Sequence, residues 1–437
     1  MIAATSQGST PKTAIRPHLS SRMTGPFWAL MVFTFVLFIG PQFFVPGLQA
    51  FRPALLSAAA ALGLYLFDRF AHGGTLAVMV PPVRTVLVLV VLLGLSIPTS
   101  LWPGGSFTLF TDEFLKCVVI GLLLGNVVSS PQRMKLMLGS LVCWGVVMSV
   151  FAFRSYSPGE FATGGVRIGG YDSALAGNPN DLALTLNLII AWAAGLYFAT
   201  RRRHFRILVV AAIVVMAAAV IITFSRAGFL MLVTIVAAFL WQRARRRDAV
   251  TIIGALALAT AVFFFLPGGY GDRIYSIFDF KADPTGSAQA RWDTTWTGIE
   301  LIKERPLFGY GLGAHGLEFV ARGEGWTGIH NAVLSIGADA GVLAMVAYIV
   351  VIYQLFRQLG WVRRRFRERK AQTHDALAMG VQLSMIGFLL CTFFYPVQYH
   401  FFLFYIIGFT MALQVMAVNE SRDAGRVSVP PPARLRR

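Results

Sequence analysis

Residues 205–223 read FRILVVAAIVVMAAAVIIT, and from Ile207 to Thr223 no side chain is charged. Coiled as a helix, a stretch of this length covers ~28 Å, close to the ~30 Å hydrocarbon core of a bilayer. Only a helix or a closed barrel satisfies its own backbone in lipid, so the run predicts a membrane-spanning helix. Eleven further apolar runs lie near 27–46, 53–69, 83–101, 111–129, 134–154, 181–199, 227–243, 249–266, 331–356, 376–394 and 397–417. The predicted fold is all-α, a polytopic membrane protein of about 12 transmembrane helices. Outside them, the sequence falls into a polar N-terminal segment 1–26, a membrane domain 27–417 and a tail 418–437 that carries Pro430, Pro431 and Pro432 and is expected to be disordered.

Composition agrees with that reading. The 437 residues are 56% hydrophobic and 13% charged, about half the charge fraction of a soluble domain, which excludes a water-soluble globular protein. Cys117, Cys143 and Cys391 all fall inside apolar runs, so neither a disulfide framework nor a CxxC metal site is available, and packing is their expected role. No short apolar region with a small-residue cleavage site precedes the first run, which is therefore expected to act as its own insertion signal.

A net charge of +18 would suggest nucleic acid in a soluble chain. Placement along the spans removes that suggestion. With the N-terminus inside, the inner segments hold 27 basic and six acidic residues, whereas the outer ones hold ten basic and thirteen acidic. Lys116 and Asp339 fall within spans. Basic residues gather on the cytoplasmic side of short loops, so both termini are expected in the cytoplasm and nucleic acid is not an expected partner. Two outer segments are long, 155–180 and 267–330, the second standing before the tenth span. Within it Trp292, Trp296, Ile299 and Ile302 recur at three- and four-residue steps, predicting an amphipathic helix near 288–304 at the outer interface.

The basic residues that escape the inside bias call for a separate explanation. Arg226 sits in the tight outer turn Thr223-Phe224-Ser225-Arg226-Ala227-Gly228. It either snorkels to the headgroups or faces a cavity, where a guanidinium suits phosphate through planar bidentate donors. Arg291 opens the helical stretch and could pair with Asp293 or Glu300. Arg167 precedes Gly177-Asn178-Pro179-Asn180, and the Asn180-Asp181 pair reads first as a helix N-cap. His330, at the mouth of the tenth span, has the side chain suited to a general base near neutral pH. His315 and His400 are alternatives, His400 fitting an aromatic belt beside Tyr395 and Tyr399. Asp339 is an acid well inside a span and needs a partner, for which Arg226 and Arg291 are candidates. The glycine run Phe308-Gly309-Tyr310-Gly311-Leu312-Gly313 follows no strand, so it is not a Rossmann loop. No carboxylate and histidine cluster has metal-ligand spacing.

Together these pieces resemble the bacterial O-antigen ligase and polymerase superfamily. They are Gly177-Asn178-Pro179-Asn180, Ser225-Arg226-Ala227-Gly228, Arg291-Trp292, Pro306 to Gly313, His330-Asn331 and Asp339-Ala340-Gly341-Val342-Leu343, over roughly 165–355. This chain has Asp339 where the family often has Glu. The resemblance implies a metal-independent inverting glycosyltransferase of the bacterial inner membrane, without a cofactor, whose active site faces the periplasm. Its donor would be a glycan on undecaprenyl pyrophosphate and its acceptor a sugar hydroxyl on a glycan or lipid core. It implies catalytic roles for His330, Arg226 and Arg291, and a substrate-binding set of Arg167, Asn180, Gly309, Gly311 and Asp339. A polymerase of the same superfamily shares these residues. A transporter would also explain many spans and a cationic centre, but the asymmetric outer segments lack the paired repeats of that class.

Overall fold

A computed structural model of the chain describes residues 24–72, 76–157, 168, 171, 175–264, 270–275, 287–325 and 327–427. Among them there is no strand, and a helix stands at each apolar run. The first half contains α1 (Gly25–Ile39), α2 (Pro53–His72), α3 (Pro81–Ser96), α4 (Pro103–Thr108), α5 (Leu115–Val127) and α6 (Pro131–Arg154). A wide π turn at Leu109–Phe114 joins α4 to α5. Then come α7 (Pro179–Ala199), α8 (Arg203–Ile222), α9 (Arg226–Ala244) and α10 (Ala249–Phe264). The long segment before the tenth run contains α11 (Tyr270–Tyr275), α12 (Ser287–Glu304) and α13 (His315–Ala321), and the chain closes with α14 (Ala332–Glu368), α15 (Gln372–Thr392) and α16 (Phe401–Val427). Among the described residues eight helices are long and apolar enough to cross a membrane, and α1 and α3 are apolar but shorter. This is a multi-pass membrane protein. Its last helix continues past the expected boundary at 417 into the stretch read as a disordered tail, while residues 428–437 lie outside the described residues.

Local chemistry sets the helix ends. A proline stands in the first turn of α1, α3, α6 and α7, where its missing N–H removes no helical bond. Ser130, Asn178, Ser225 and Asn331 cap α6, α7, α9 and α14 by accepting from backbone amides inside the first turn.

The centre of the bundle is α7, α15 and α16, with roughly four-fifths of each span buried, whereas α2 at the edge is 11% buried. Phe67 and Phe70 on α2 are more than two-thirds exposed, an arrangement that lipid, not water, accommodates. Close approach relies on small residues. A Cβ at Gly195 would lie 2.8 Å from the Ala376 carbonyl oxygen, and one at Gly408 would lie 2.8 Å from that of Gly121. Lys116, counted from sequence as an in-span charge, pairs with Asp112 one turn earlier at 3.0 Å.

At the end of the bundle that carries the basic loops, buried Asp375 accepts from Arg246, from Arg363 Nε at 3.0 Å and from Arg367 Nε at 3.3 Å, tying the turn after α9 to α14 and α15. The opposite end holds the candidate site, and α14 breaks there. Gly341 has φ 83° and ψ 176°, a backbone open essentially to glycine alone.

Candidate active site

Two turns meet at this end of the bundle. Asn178 Oδ1 accepts from the Asn180 amide at 2.8 Å, so the cap of α7 is Asn178 and not the Asn180-Asp181 pair read from sequence. That leaves the Asn180 side chain available, and its Oδ1 accepts from Ser225 Oγ at 2.7 Å. Ser225 Oγ in turn accepts from the Gly228 amide at 3.2 Å, and buried Asn187 donates to the carbonyls of Ala183 and Gly228. The backbone between the two turns is thus fixed by side chains of both helices. Arg226, the first residue of α9, is 8% exposed. A snorkelling side chain would present its head to the surface, and this burial argues against that alternative. Asp181 accepts from Tyr395 and lies near His400, which brings the loop between α15 and α16 onto the same cluster. Arg167 lies outside the described residues.

The second group forms around α12, which packs against α14. The expected helix is present, but its apolar stripe divides. Trp292 and Trp296 are about half exposed, their rings in T-shaped contact at 5.8 Å, while Thr294, Gly298, Leu301 and Ile302 are buried. Gly298 admits Ile329 so closely that a Cβ there would lie 2.9 Å from Ile329 Cδ1. Arg291, one heptad before Gly298, occupies the same helix face, and its positive charge acts on His330. Asp293 accepts from Gln289 and Glu300 pairs with Arg322, so the Arg291 pairs considered from sequence are not the ones formed. The turn geometry of α12 directs Arg291 toward the loop and those acids away from it.

His330 is half-buried, and among the described residues its Nδ1 is a buried atom without a hydrogen-bond partner. Burial first, and Arg291 second, hold the imidazole below its usual pKa, opposed by the Gly328 carbonyl. A neutral imidazole with a free ring nitrogen can accept a proton.

Asp339 is fully buried, and its partners are not the arginines expected. Its Oδ1 accepts from His315 Nδ1 at 2.6 Å and from the Gly313 amide at 3.0 Å, and its Oδ2 accepts from Tyr399 Oη at 2.8 Å. Three donors satisfy the carboxylate, as burial demands.

The glycine run is the clamp that closes over this acid. Tyr310 and Gly311 amides donate to the carbonyls of Ala338 and Asp339, and the Val342 amide donates to that of Pro306, each at 2.8 Å. These bonds satisfy backbone groups freed by the break at Gly341. A Cβ at Gly309 would lie 2.4 Å from the Ala338 oxygen, and one at Gly311 would lie 1.9 Å from Ser100 Oγ. Both glycines are buried, and backbone approach accounts for them.

Residues 211–349 match the O-antigen ligase family. The matched segment takes in Arg226, Arg291, His315, His330 and Asp339, and it supports the O-antigen ligase and polymerase superfamily for this chain. Asn180 and Arg167 precede the match. No curated protein matches the chain. The matched segment thus carries Arg291, His330 and Asp339, while Tyr399, which donates to Asp339, lies beyond it.

In the sequence Tyr399 stands out only as an aromatic neighbour of His400. Its hydroxyl enters the site from 60 residues beyond Asp339 in the chain. The only hint available from sequence was that an acid inside an apolar run needs donors, and that hint does not say which ones.

Proposed function

We propose that this protein is a membrane glycosyltransferase that transfers a glycan from undecaprenyl pyrophosphate to an acceptor sugar hydroxyl at the periplasmic face of the bacterial inner membrane. The observation that carries the reading is the buried Nδ1 of His330, without a hydrogen-bond partner among the described residues, beside Arg291 and inside the segment that matches the O-antigen ligase family. In this reading the acceptor oxygen attacks the anomeric carbon, the bond from that carbon to the pyrophosphate oxygen breaks with inversion, and His330 Nδ1 takes the hydroxyl proton. Undecaprenyl pyrophosphate leaves with the bonding electrons. Arg226 and Arg291, with Arg167, supply fixed positive charge to the leaving group, and such charge is most effective where water is excluded. No metal is assigned a role. The charge asymmetry of the loops supports a cytoplasmic position for both termini.

Attachment of a finished glycan to a lipid core and polymerisation of repeat units use the same residues in this scheme, and the acceptor distinguishes them. The test is purified protein with a lipid-linked glycan and an acceptor glycan, without nucleotide and with or without chelator. A covalent product that is abolished by His330→Ala in a folded protein supports the proposal. Glycan that only changes leaflet overturns it in favour of a transporter. Lipid-linked polymer of normal length left unattached in a deletion strain identifies a ligase, and single repeat units identify a polymerase.

A further inference from the structure

We propose that His315, Asp339 and Tyr399 form a positioning unit that holds His330 in its reactive orientation, with His315 as the link between the buried acid and the histidine loop. The inference rests on the general-base reading of His330 given above.

The direction of each hydrogen bond follows from the atoms involved. An amide can only donate, so the 3.5 Å contact between the Ile329 amide and His315 Nε2 makes Nε2 the acceptor, at the long limit of such bonds. The proton of a neutral ring then sits on Nδ1, where it donates to Asp339 Oδ1 at 2.6 Å. Both nitrogens of His315 are engaged, and the side chain is 9% exposed, so this histidine is unsuited to act as a base. Asp339 in turn is fixed by Tyr399 at 2.8 Å and by the Gly313 amide at 3.0 Å. A carboxylate that orients an imidazole through Nδ1 is a recurrent way of setting its tautomer and angle. Here the oriented ring holds a backbone amide.

That amide belongs to the residue immediately before His330. Ile329 is buried, wedged between His315 on one side and Gly298 of α12 on the other. The face of α12 that grips Ile329 also carries Arg291, so one wedge registers the general base against the cation that faces it. On the far side, Asn331 caps α14, accepting from the amides of Val333 and Leu334 at 3.0 and 3.1 Å. His330 is therefore held from both neighbours in the chain, and its own Nδ1 stays clear. Arg291 on α12 is the charged group that bears on its ring, with His315, Asp339 and Tyr399 behind Ile329.

His315→Asn tests the link, because the shorter amide can still donate to Asp339 but does not reach the Ile329 amide. Tyr399→Phe is the second variant, removing one bond to the acid with little change in volume. Histidine C2 hydrogen–deuterium exchange, read by mass spectrometry on the purified full chain without substrate, reports the titration midpoint of His330. Freed from its wedge the ring hydrates, so the midpoint rises toward the ordinary histidine value of ~6.5 in His315→Asn, and by less in Tyr399→Phe. In the transfer assay kcat falls about 10- to 100-fold while KM for the lipid-linked donor holds, as expected for misplacement of a reacting group. An unmoved His330 midpoint in variants that melt like the wild type overturns the proposal, as does an unchanged kcat. If the wild type transfers nothing, the functional reading fails on its own, and the exchange midpoint still decides whether the unit positions His330.

Discussion

Replacing Gly341 with alanine tests the link between the break in α14 and the site. The backbone there, φ 83° and ψ 176°, costs a residue with a side chain about 1–3 kcal/mol. The new Cβ would also lie 2.3 Å from the Leu307 carbonyl oxygen, a contact that only a shift of the backbone relieves. Such a shift endangers the three 2.8 Å bonds that fasten residues 306–311 to 338–342, each worth about 1 kcal/mol. With all three bonds lost the combined local cost is about 4–6 kcal/mol, which corresponds to a loss of roughly 10³- to 10⁴-fold in amide protection over that loop. Gly360 is the control. It lies in the same helix with a helical backbone, and nothing stands within 4 Å of its added Cβ, so Gly360→Ala should be neutral or stabilising by up to ~1 kcal/mol. Amide hydrogen exchange with mass spectrometry, on protein in detergent or nanodiscs, reads both. Wild-type protection of 306–314 in Gly341→Ala would refute the clamp.

Three further predictions follow from named contacts. Arg226→Lys keeps the charge and loses the planar fork; if Arg226 grips phosphate, transfer falls by about 10², and near wild-type turnover would leave it a packing role. Arg291→Gln removes a positive neighbour from His330, so the protonated form is favoured and the imidazole pKa rises. The base is then lost at a higher pH on acidification, and the acid limb of the kcat/KM profile moves upward; an unmoved limb contradicts the pairing. Asp375→Asn leaves Arg246, Arg363 and Arg367 without their shared acid. A cost of about 3–5 kcal/mol is expected, visible as a lower unfolding temperature in detergent, and an unchanged melt would show that the cluster contributes little.

The sequence carried the helices well because their signal is local. An uncharged run such as 207–223 reports its own burial in lipid, and α8 stands where it predicts. The amphipathic stretch 288–304 likewise forms α12. The spacing does not say which part of the stripe is buried: Ile302 is, with Thr294, Gly298 and Leu301 beside it, whereas the two indoles stay half exposed. Aromatic side chains of this kind suit an interface with headgroups.

The candidate site was legible in its residue types and not in its pairings. Arg226, Arg291 and His330 stood out because polar groups are costly at such depths. The donors to Asp339 come from 24 residues before it and 60 residues after it, and no periodicity encodes contacts between elements so far apart. The glycine run had the appearance of a ligand loop because close approach to a phosphate and close approach to another backbone both require a missing Cβ. Opposite Gly309 and Gly311 the structure places the Ala338 carbonyl and Ser100.

One consequence of the long helix α14 concerns depth. Beyond the break at Gly341 it runs unbroken to Glu368, about 40 Å of rigid rod. One end stands beside Asp339, and the other is moored by Arg363 and Arg367 to Asp375. A rod does not shorten in a thinner bilayer; it leans. The height at which the carboxylate, and the loop fastened to it, stand above the moored end is therefore a dimension of the polypeptide, and a change in membrane thickness alters the tilt of the protein before it alters the spacing within the site.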